Sequence, residues 1–351
     1  MYILLAILAF GVLVFVHELG HFLVAKACGV KVVEFALGMG PRILKKQGKE
    51  TVYSLRMLPV GGFCAMEGED EASEDPRAFN NQSVLKRILI LVAGSFMNFL
   101  LGFLLILAIY LPAQGFITTE IAEFFPNCPY EGTLQVGDRI TKINGQKVFF
   151  VANFSEYALE DTDGYLDIEL IRDGRRIKLP NTRLVPVEYP TEDGGTELKF
   201  GLYFGVEEAT PLRTVKVSFL SCVDFVRMVK KGLVQLFSGQ ASVKDMTGVV
   251  GIVDIINETG TSAETVSQGL ENVFYLVAFI AVNLSVMNML PIPALDGGHV
   301  VTLLISWVYE KISGKKPDPR IEGYIHMVGL FLLLGLMALV LYNDIARILT
   351  R

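Results

Sequence analysis

Three ionisable side chains stand close together in "VFVHELGHFLVAK", residues 14–26: His17, Glu18 and His21. On a helix, residues four apart lie one turn apart and differ by about 40° in azimuth, so both imidazoles can reach one Zn²⁺ at about 2.0–2.1 Å. A glutamate beside the first histidine can take a proton from water that the metal has acidified, which is the chemistry of peptide hydrolysis. The surrounding stretch is apolar. An unpaired ionisable group at membrane depth costs about 2.5 kcal/mol or more, so three of them there point to function. Gly20, inside the motif, leaves room for a close neighbour or a substrate.

A catalytic zinc needs a third protein ligand and one open position. Outside the motif the chain has two further histidines, His299 and His326. The stretch "NMLPIPALDGGH", residues 288–299, breaks an apolar run with Pro291 and Pro293 and then Gly297 and Gly298. Non-helical backbone at membrane depth persists only where it is buried in protein or lines a polar cavity. Asp296 sits in that break, and a carboxylate there, aimed at the two histidines, would complete a His₂-carboxylate site. Asp296 could instead cap a helix over 297–309. His299 is a competing ligand, or a residue that orients one. Two amides also stand in apolar surroundings. Asn288 is read as a group that holds a substrate backbone or a developing oxyanion, and Asn98 as an interhelical hydrogen bond.

Membrane spans must bring these residues together. A hydrocarbon core about 30 Å thick needs roughly 20 apolar residues as helix. Residues 2–25, 88–111 and 325–342 meet this, and a longer run, 273–309, is broken by "PIP" and "DGG". "AKA" at 25–27 loosely fits a signal-peptide cleavage site, but a basic leader segment is lacking and three polar residues spoil the apolar core. With 52% of its residues apolar, the chain is too hydrophobic for an ordinary soluble enzyme. The formal charge of -6, without a basic block, argues against a nucleic-acid partner. The four cysteines have no CxxC spacing and form neither a zinc ribbon nor a disulfide framework; Cys128 and Cys222 could pair only if both face an oxidising side. Lys26, Lys31, Lys86 and Arg87 flank the first loop, and Lys311, Lys315, Lys316 and Arg320 the last, so both loops read as cytoplasmic. Arg347 and Arg351 oppose that orientation.

The expected fold is a polytopic α-helical membrane protein with about four transmembrane helices, an inserted β-rich domain and a membrane-associated β-hairpin. Residues 1–112 hold the first two spans and a cytoplasmic loop. In that loop "KETVYSLRMLPVGGFCAMEG" reads as a hairpin around a Pro-Val-Gly-Gly turn, and "GEDEASEDPRAFNNQ" as a solvated loop. Residues 115–206 alternate in strand fashion, with "NG" and "DG" turns. Residues 207–270 form a connector in which 211–238, carrying Asp224, Arg227, Lys230 and Lys231, reads as an amphipathic helix lying at the membrane interface or packed on the β-rich domain. Residues 271–351 carry the last spans.

At "HELGH" and "NMLPIPALDGG" the chain resembles the site-2 protease family of intramembrane zinc metalloproteases, most closely its bacterial RseP/RasP branch. "FALGMGP", "YSLRMLPVGGFCAMEGE" and "RAFNNQSVLKRILILVAG" follow that branch in order, and the resemblance runs nearly end to end. It implies His17, His21 and Asp296 as Zn²⁺ ligands, Glu18 as catalytic acid/base, and a bacterial cell-membrane location. It also implies as substrate a single-pass transmembrane helix already trimmed by an upstream site-1-type protease, such as an anti-sigma factor or a signal-peptide remnant. "YEGTLQVGDRITKINGQKV", residues 130–148, resembles the core of a PDZ domain, which in this family lies outside the membrane and screens substrates by size. Ser95 and the valine of "TGVVGI", residues 247–252, stand where the family usually has proline.

A membrane helix hides its scissile carbonyls in its own hydrogen bonds, so hydrolysis requires local unwinding. The hairpin near Gly61 and Gly62 offers an edge that could take the unwound segment as a strand. The orientation puts hydrolysis within the bilayer but towards the cytoplasm, with the PDZ-like domain extracytoplasmic. Two other readings remain open on sequence alone. One is a membrane-anchored zinc protease acting on soluble or misfolded proteins. The other is a non-catalytic PDZ membrane receptor.

Overall fold

The computed structural model describes residues 1–69, 73–191, 195–242, 246–315 and 319–349; Lys316, Arg351 and positions 70–72 of the acidic loop lie outside them. The chain divides into two units, Met1–Ile109 with Ser221–Arg351, and Tyr110–Leu220.

The first unit holds α1 (Tyr2–Ala27), α2 (Val84–Tyr110), α5 (Val249–Thr261), α6 (Val266–Asn288), α7 (Asp296–Ser313) and α8 (Pro319–Leu349). Among the described residues, four helical segments are long and apolar enough to cross a membrane: Tyr2–Ala27, Val84–Tyr110, Val266–Asn288 and Gly323–Arg347. The run 273–309 is thus two helices joined by residues 289–295, because Pro291 and Pro293 cannot continue α6. Many flanks of these helices remain exposed, among them Leu4, Leu8, Phe96, Phe331 and Leu332, as expected of helices that face lipid.

Between α1 and α2 run β1 (Val32–Gln47) and β2 (Val52–Met66). The sequence places the hairpin turn at Pro-Val-Gly-Gly. The structure instead puts the tight turn at Gly48–Thr51, closed by Gly48 N–H donating to the Thr51 carbonyl at 2.9 Å. Residues 42–47 pair with 52–56 around it. Pro-Val-Gly-Gly serves as a bend, with Gly61 at φ +86°, that returns residues 62–65 antiparallel to 34–37, while 34–37 also lie against 52–55. Glu34 anchors this folded loop. Its carboxylate accepts from Ser54 Oγ at 2.6 Å and from Arg56 Nη2 at 2.9 Å, and pairs with Arg42 Nη2. Burial alone would raise the Glu34 pKa, but these three donors overcome it and hold the group at about 2.

The second unit contains β3 (Gly115–Phe124), β4 (Arg139–Ile143), β5 (Gln146–Lys147), α3 (Val151–Glu160), β6 (Tyr165–Arg172), β7 (Arg175–Arg183), β8 (Val187–Pro190), β9 (Thr196–Lys199) and β10 (Leu202–Glu208). One sheet has the order β10-β3-β4-β6-β7, with β5 pairing β4, and β8 pairs with β9. Ile121, Ile140, Ile143, Phe154, Leu166, Ile168 and Leu170 fill its core. Asp138, fully buried, takes two 2.7 Å hydrogen bonds from Arg172 and one of 2.9 Å from the Gln135 N–H.

Helix α4 (Pro211–Phe237) follows β10. Thr214, Ser218, Ser221, Cys222, Phe225 and Val229 are buried along one stripe of it, and Phe225 meets Tyr275 and Phe279 of α6 edge-on. Cys28, Cys64, Cys128 and Cys222 are all free thiols.

Candidate metal centre

His17 and His21 lie on one face of α1 and are 8% and 7% exposed. Helix α2 closes over that face because it presents glycine there. A Cβ at Gly94 would lie 2.7 Å from His17 Cε1 and 2.8 Å from His21 Cε1, so the imidazoles rest on bare backbone. The room left by Gly20 is taken by the Ala93 carbonyl of the same helix. His21 Nδ1 lies 2.8 Å from the Ile90 carbonyl. A carbonyl only accepts, so Nδ1 carries the proton and Nε2 keeps a free lone pair.

Asp296 reaches the same place from the other end of the chain. After α6 ends, residues 289–295 fold back through short turns, with Ala294 at φ +74°. Gly297 and Gly298 let α7 start against this loop: a Cβ on Gly298 would strike the Ile292 backbone, its carbonyl carbon at 2.7 Å. Leu295 is the N-cap of α7. The Asp296 carboxylate therefore does not cap the helix; its Oδ2 lies 3.2 Å from His17 Nε2 and 3.5 Å from His21 Nε2.

The two Nε2 atoms are themselves 3.2 Å apart. A triangle with edges near 3.3 Å is one face of a tetrahedron whose corners lie about 2.0 Å from its centre, the ordinary zinc–ligand distance. Asp296 Oδ2 is buried and, among the described residues, faces only these two imidazoles. Two imidazole nitrogens and a carboxylate oxygen thus converge within 3.5 Å of one another, and a cation at their centre would take all three as ligands. Among the described residues this is the group of His, Cys, Asp and Glu side chains placed to hold a metal ion. The donor set, two nitrogens and one oxygen with a fourth position open, fits Zn²⁺.

Three further groups line the centre. Asn98, fully buried on α2, has Nδ2 3.3 Å from His17 Nδ1, while its Oδ1 has no partner among the described residues. Turned by 180°, the amide would put Oδ1 on His17 Nδ1–H, the tautomer that leaves His17 Nε2 free. Asn288, the last residue of α6, has Nδ2 3.4 Å from His17 Nε2. Glu18 points at the β2 strand: a Cβ on Gly62 would lie 3.3 Å from Glu18 Cγ, and the Cys64 N–H is within reach of the Glu18 carboxylate. Burial pushes the Cys64 thiol well above the ordinary cysteine range, and its sulfur is not among the converging donors. Gly61, by contrast, sits at the bend against Met39. His299 is not among the converging donors; its ring lies flat on His326, centroids 3.7 Å apart.

Sequence reasoning did not find Gly94, the Ile90 carbonyl or the Cys64 N–H. Asn98 was legible as a polar residue among apolar ones, and it does bond between helices, but its partner is an imidazole of the centre. Gly94 and Asn98 stand one turn apart on α2, a spacing that could have flagged a face held against something polar.

The family model described as peptidase family M50 matches residues 5–336 of the chain. A Clostridium acetobutylicum protein, provisionally named a zinc metalloprotease, is 37% identical over 349 residues, covering 98% of this chain and 97% of its own. The regulator of sigma-W protease RasP of Bacillus subtilis is 29% identical over 426 residues, covering 97% of each chain. The zinc metalloprotease RasP of Bacillus licheniformis is also 29% identical, covering 97% of this chain and 98% of its own.

Proposed function

Because the chain belongs to peptidase family M50 and is a membrane zinc metalloprotease, we propose that it hydrolyses peptide bonds inside the bilayer, within transmembrane segments of substrates already trimmed by an upstream site-1-type protease. The observation that carries this reading is the convergence of His17 Nε2 and His21 Nε2, on a helix of membrane-spanning length, with Asp296 Oδ2 at the start of α7. Ligands placed there favour a substrate held within the bilayer over a soluble one. The curated relative from Bacillus subtilis is named for regulating a sigma factor, which favours an anti-sigma factor as one substrate class; signal-peptide remnants are another.

In this proposal His17, His21 and Asp296 hold the metal. When bound, Zn²⁺ supplies Lewis acidity that polarises the scissile carbonyl and acidifies water. Glu18 takes the proton of the attacking water on its carboxylate and delivers it to the departing amine. Asn288, whose Nδ2 lies 3.4 Å from His17 Nε2, donates in this proposal to the carbonyl oxygen as charge develops on it. The strand 62–66, beside Glu18 at Gly62, takes the unwound substrate as an added strand, and Gly61 sets the bend that presents it.

The lysines and arginines of the first and last loops favour a cytoplasmic placement of both. The metal centre then lies towards the cytoplasmic side and the 110–220 unit outside, where a PDZ-like sheet domain screens substrates by peptide binding or by size. The test is cleavage of transmembrane peptides by purified protein in detergent, with wild type and Glu18→Gln at matched zinc content. The variant should lose about 100- to 10,000-fold in rate. Undiminished cleavage by Glu18→Gln would sink the mechanism.

A further inference from the structure

The loop that delivers Asp296 is held from behind by α8. Ala294, two residues before the carboxylate, is a non-glycine residue at φ +74°, a strained conformation that persists only where neighbours enforce it. Its N–H donates to His326 Nδ1 at 3.1 Å. The opposite nitrogen, Nε2, is 3.2 Å from Thr302 Oγ1. That hydroxyl reaches the Gly298 and His299 carbonyls at 3.1 Å each, so it donates into α7 and can accept from Nε2–H. One turn further along α8, Gly329 lies bare against Pro293, where a Cβ would sit 2.8 Å from the Pro293 carbonyl oxygen. The His326 ring also stacks on His299, interplanar angle 4°. A single imidazole thus ties the strained loop, the first turn of α7 and α8 together.

We infer that His326 is a positioning residue for the metal centre: its Nδ1 fixes Ala294, and through Ala294 the place of the Asp296 carboxylate. This rests on the reading of Asp296 as a zinc ligand. His326 does not touch the metal or the substrate; it acts through the loop.

The test uses the full chain in detergent, with Zn²⁺ affinity measured by chelator competition and the Co²⁺-loaded protein examined by visible absorption. His326→Phe keeps an aromatic ring over His299 and removes both nitrogens. It should bind Zn²⁺ about 10-fold or more weakly, change the Co²⁺ spectrum, and lower kcat with little change in KM. His326→Asn restores an acceptor near the Nδ1 position and should recover most of the affinity despite losing the stack. A merely structural role would instead lower the unfolding temperature of both variants and leave the Co²⁺ spectrum alone. The inference is overturned if His326→Phe matches wild type in Zn²⁺ affinity and spectrum, or if His326→Asn is no better than His326→Phe. Should both fail to fold, Thr302→Val, which removes only the partner of Nε2, should show a smaller loss of affinity; wild-type affinity there overturns it equally. Asp296→Ala is measured alongside. If it keeps Zn²⁺, the ligand reading falls and takes this inference with it. If it loses Zn²⁺ while His326→Phe keeps it, only the role of His326 falls.

Discussion

Replacing Gly94 by alanine adds one methyl group where α2 lies against both histidines. The new Cβ would stand 2.7 Å from His17 Cε1 and 2.8 Å from His21 Cε1, whereas carbon atoms rest about 3.5–4.0 Å apart. The rings or the helix must therefore yield by about 1 Å. Overpacking of this kind costs about 1–3 kcal/mol, and a 1 Å misplacement of catalytic groups costs about 100-fold in rate. Gly94→Ala should accordingly bind Zn²⁺ more weakly and lose about 100-fold in kcat/KM, read by metal analysis of the purified protein and by peptide cleavage. Gly335→Ala is the matched control, a helical glycine whose Cβ would have nothing within 4 Å; it should leave both unchanged. Wild-type zinc content and activity in Gly94→Ala would refute the packing argument.

Other consequences concern the frame. Asp344 on α8 is 1% exposed and accepts from Gly248 N–H at 3.2 Å and Gly251 N–H at 2.9 Å, capping α5 at the "TGVVGI" stretch; Asp344→Ala should cost about 0.5–2 kcal/mol, read as a lower unfolding temperature in detergent. Glu34 titrates lower in the fold than in the open chain, so its contribution to stability is complete above the ordinary glutamate value of 4.5 and fades as pH falls from there towards about 2. Glu34→Gln should flatten that acid limb of the stability profile. In the sheet unit, Asp138→Ala strands the Arg172 guanidinium and should destabilise by about 3 kcal/mol, measured by chemical denaturation.

Much of the site was legible because its chemistry leaves compact signatures. HELGH puts two imidazoles on one helix face through its spacing, and a carboxylate between two prolines and two glycines in an apolar run marks the break at which Asp296 meets them. What stayed hidden depends on how separate helices meet. The Asn98 amide was visible, but its partner His17 follows from the crossing of α1 and α2 at Gly20 and Gly94, which no single segment encodes. His326 reads as a lone histidine in an apolar helix until the 289–295 loop is folded against it. The hairpin turn was misplaced for a local reason. Pro-Val-Gly-Gly carries stronger turn chemistry than "GKET", yet pairing of 62–65 onto 34–37 uses it as a bend, and the reversal falls to Gly48–Thr51. Helix α5 escaped notice because Gly251 and Gly260 near its two ends dilute the helical signal.

The claim on which the account rests is that His17, His21 and Asp296 together hold one zinc ion. X-ray absorption at the zinc edge, on purified wild type and Asp296→Ala, tests it most directly. The wild type should hold about one zinc per chain, coordinated by two imidazole nitrogens and by oxygen at about 2.0–2.2 Å, with Asp296→Ala losing the metal or the carboxylate oxygen from its shell. Sulfur in the first shell, or an Asp296→Ala spectrum and zinc content identical to wild type, would contradict it.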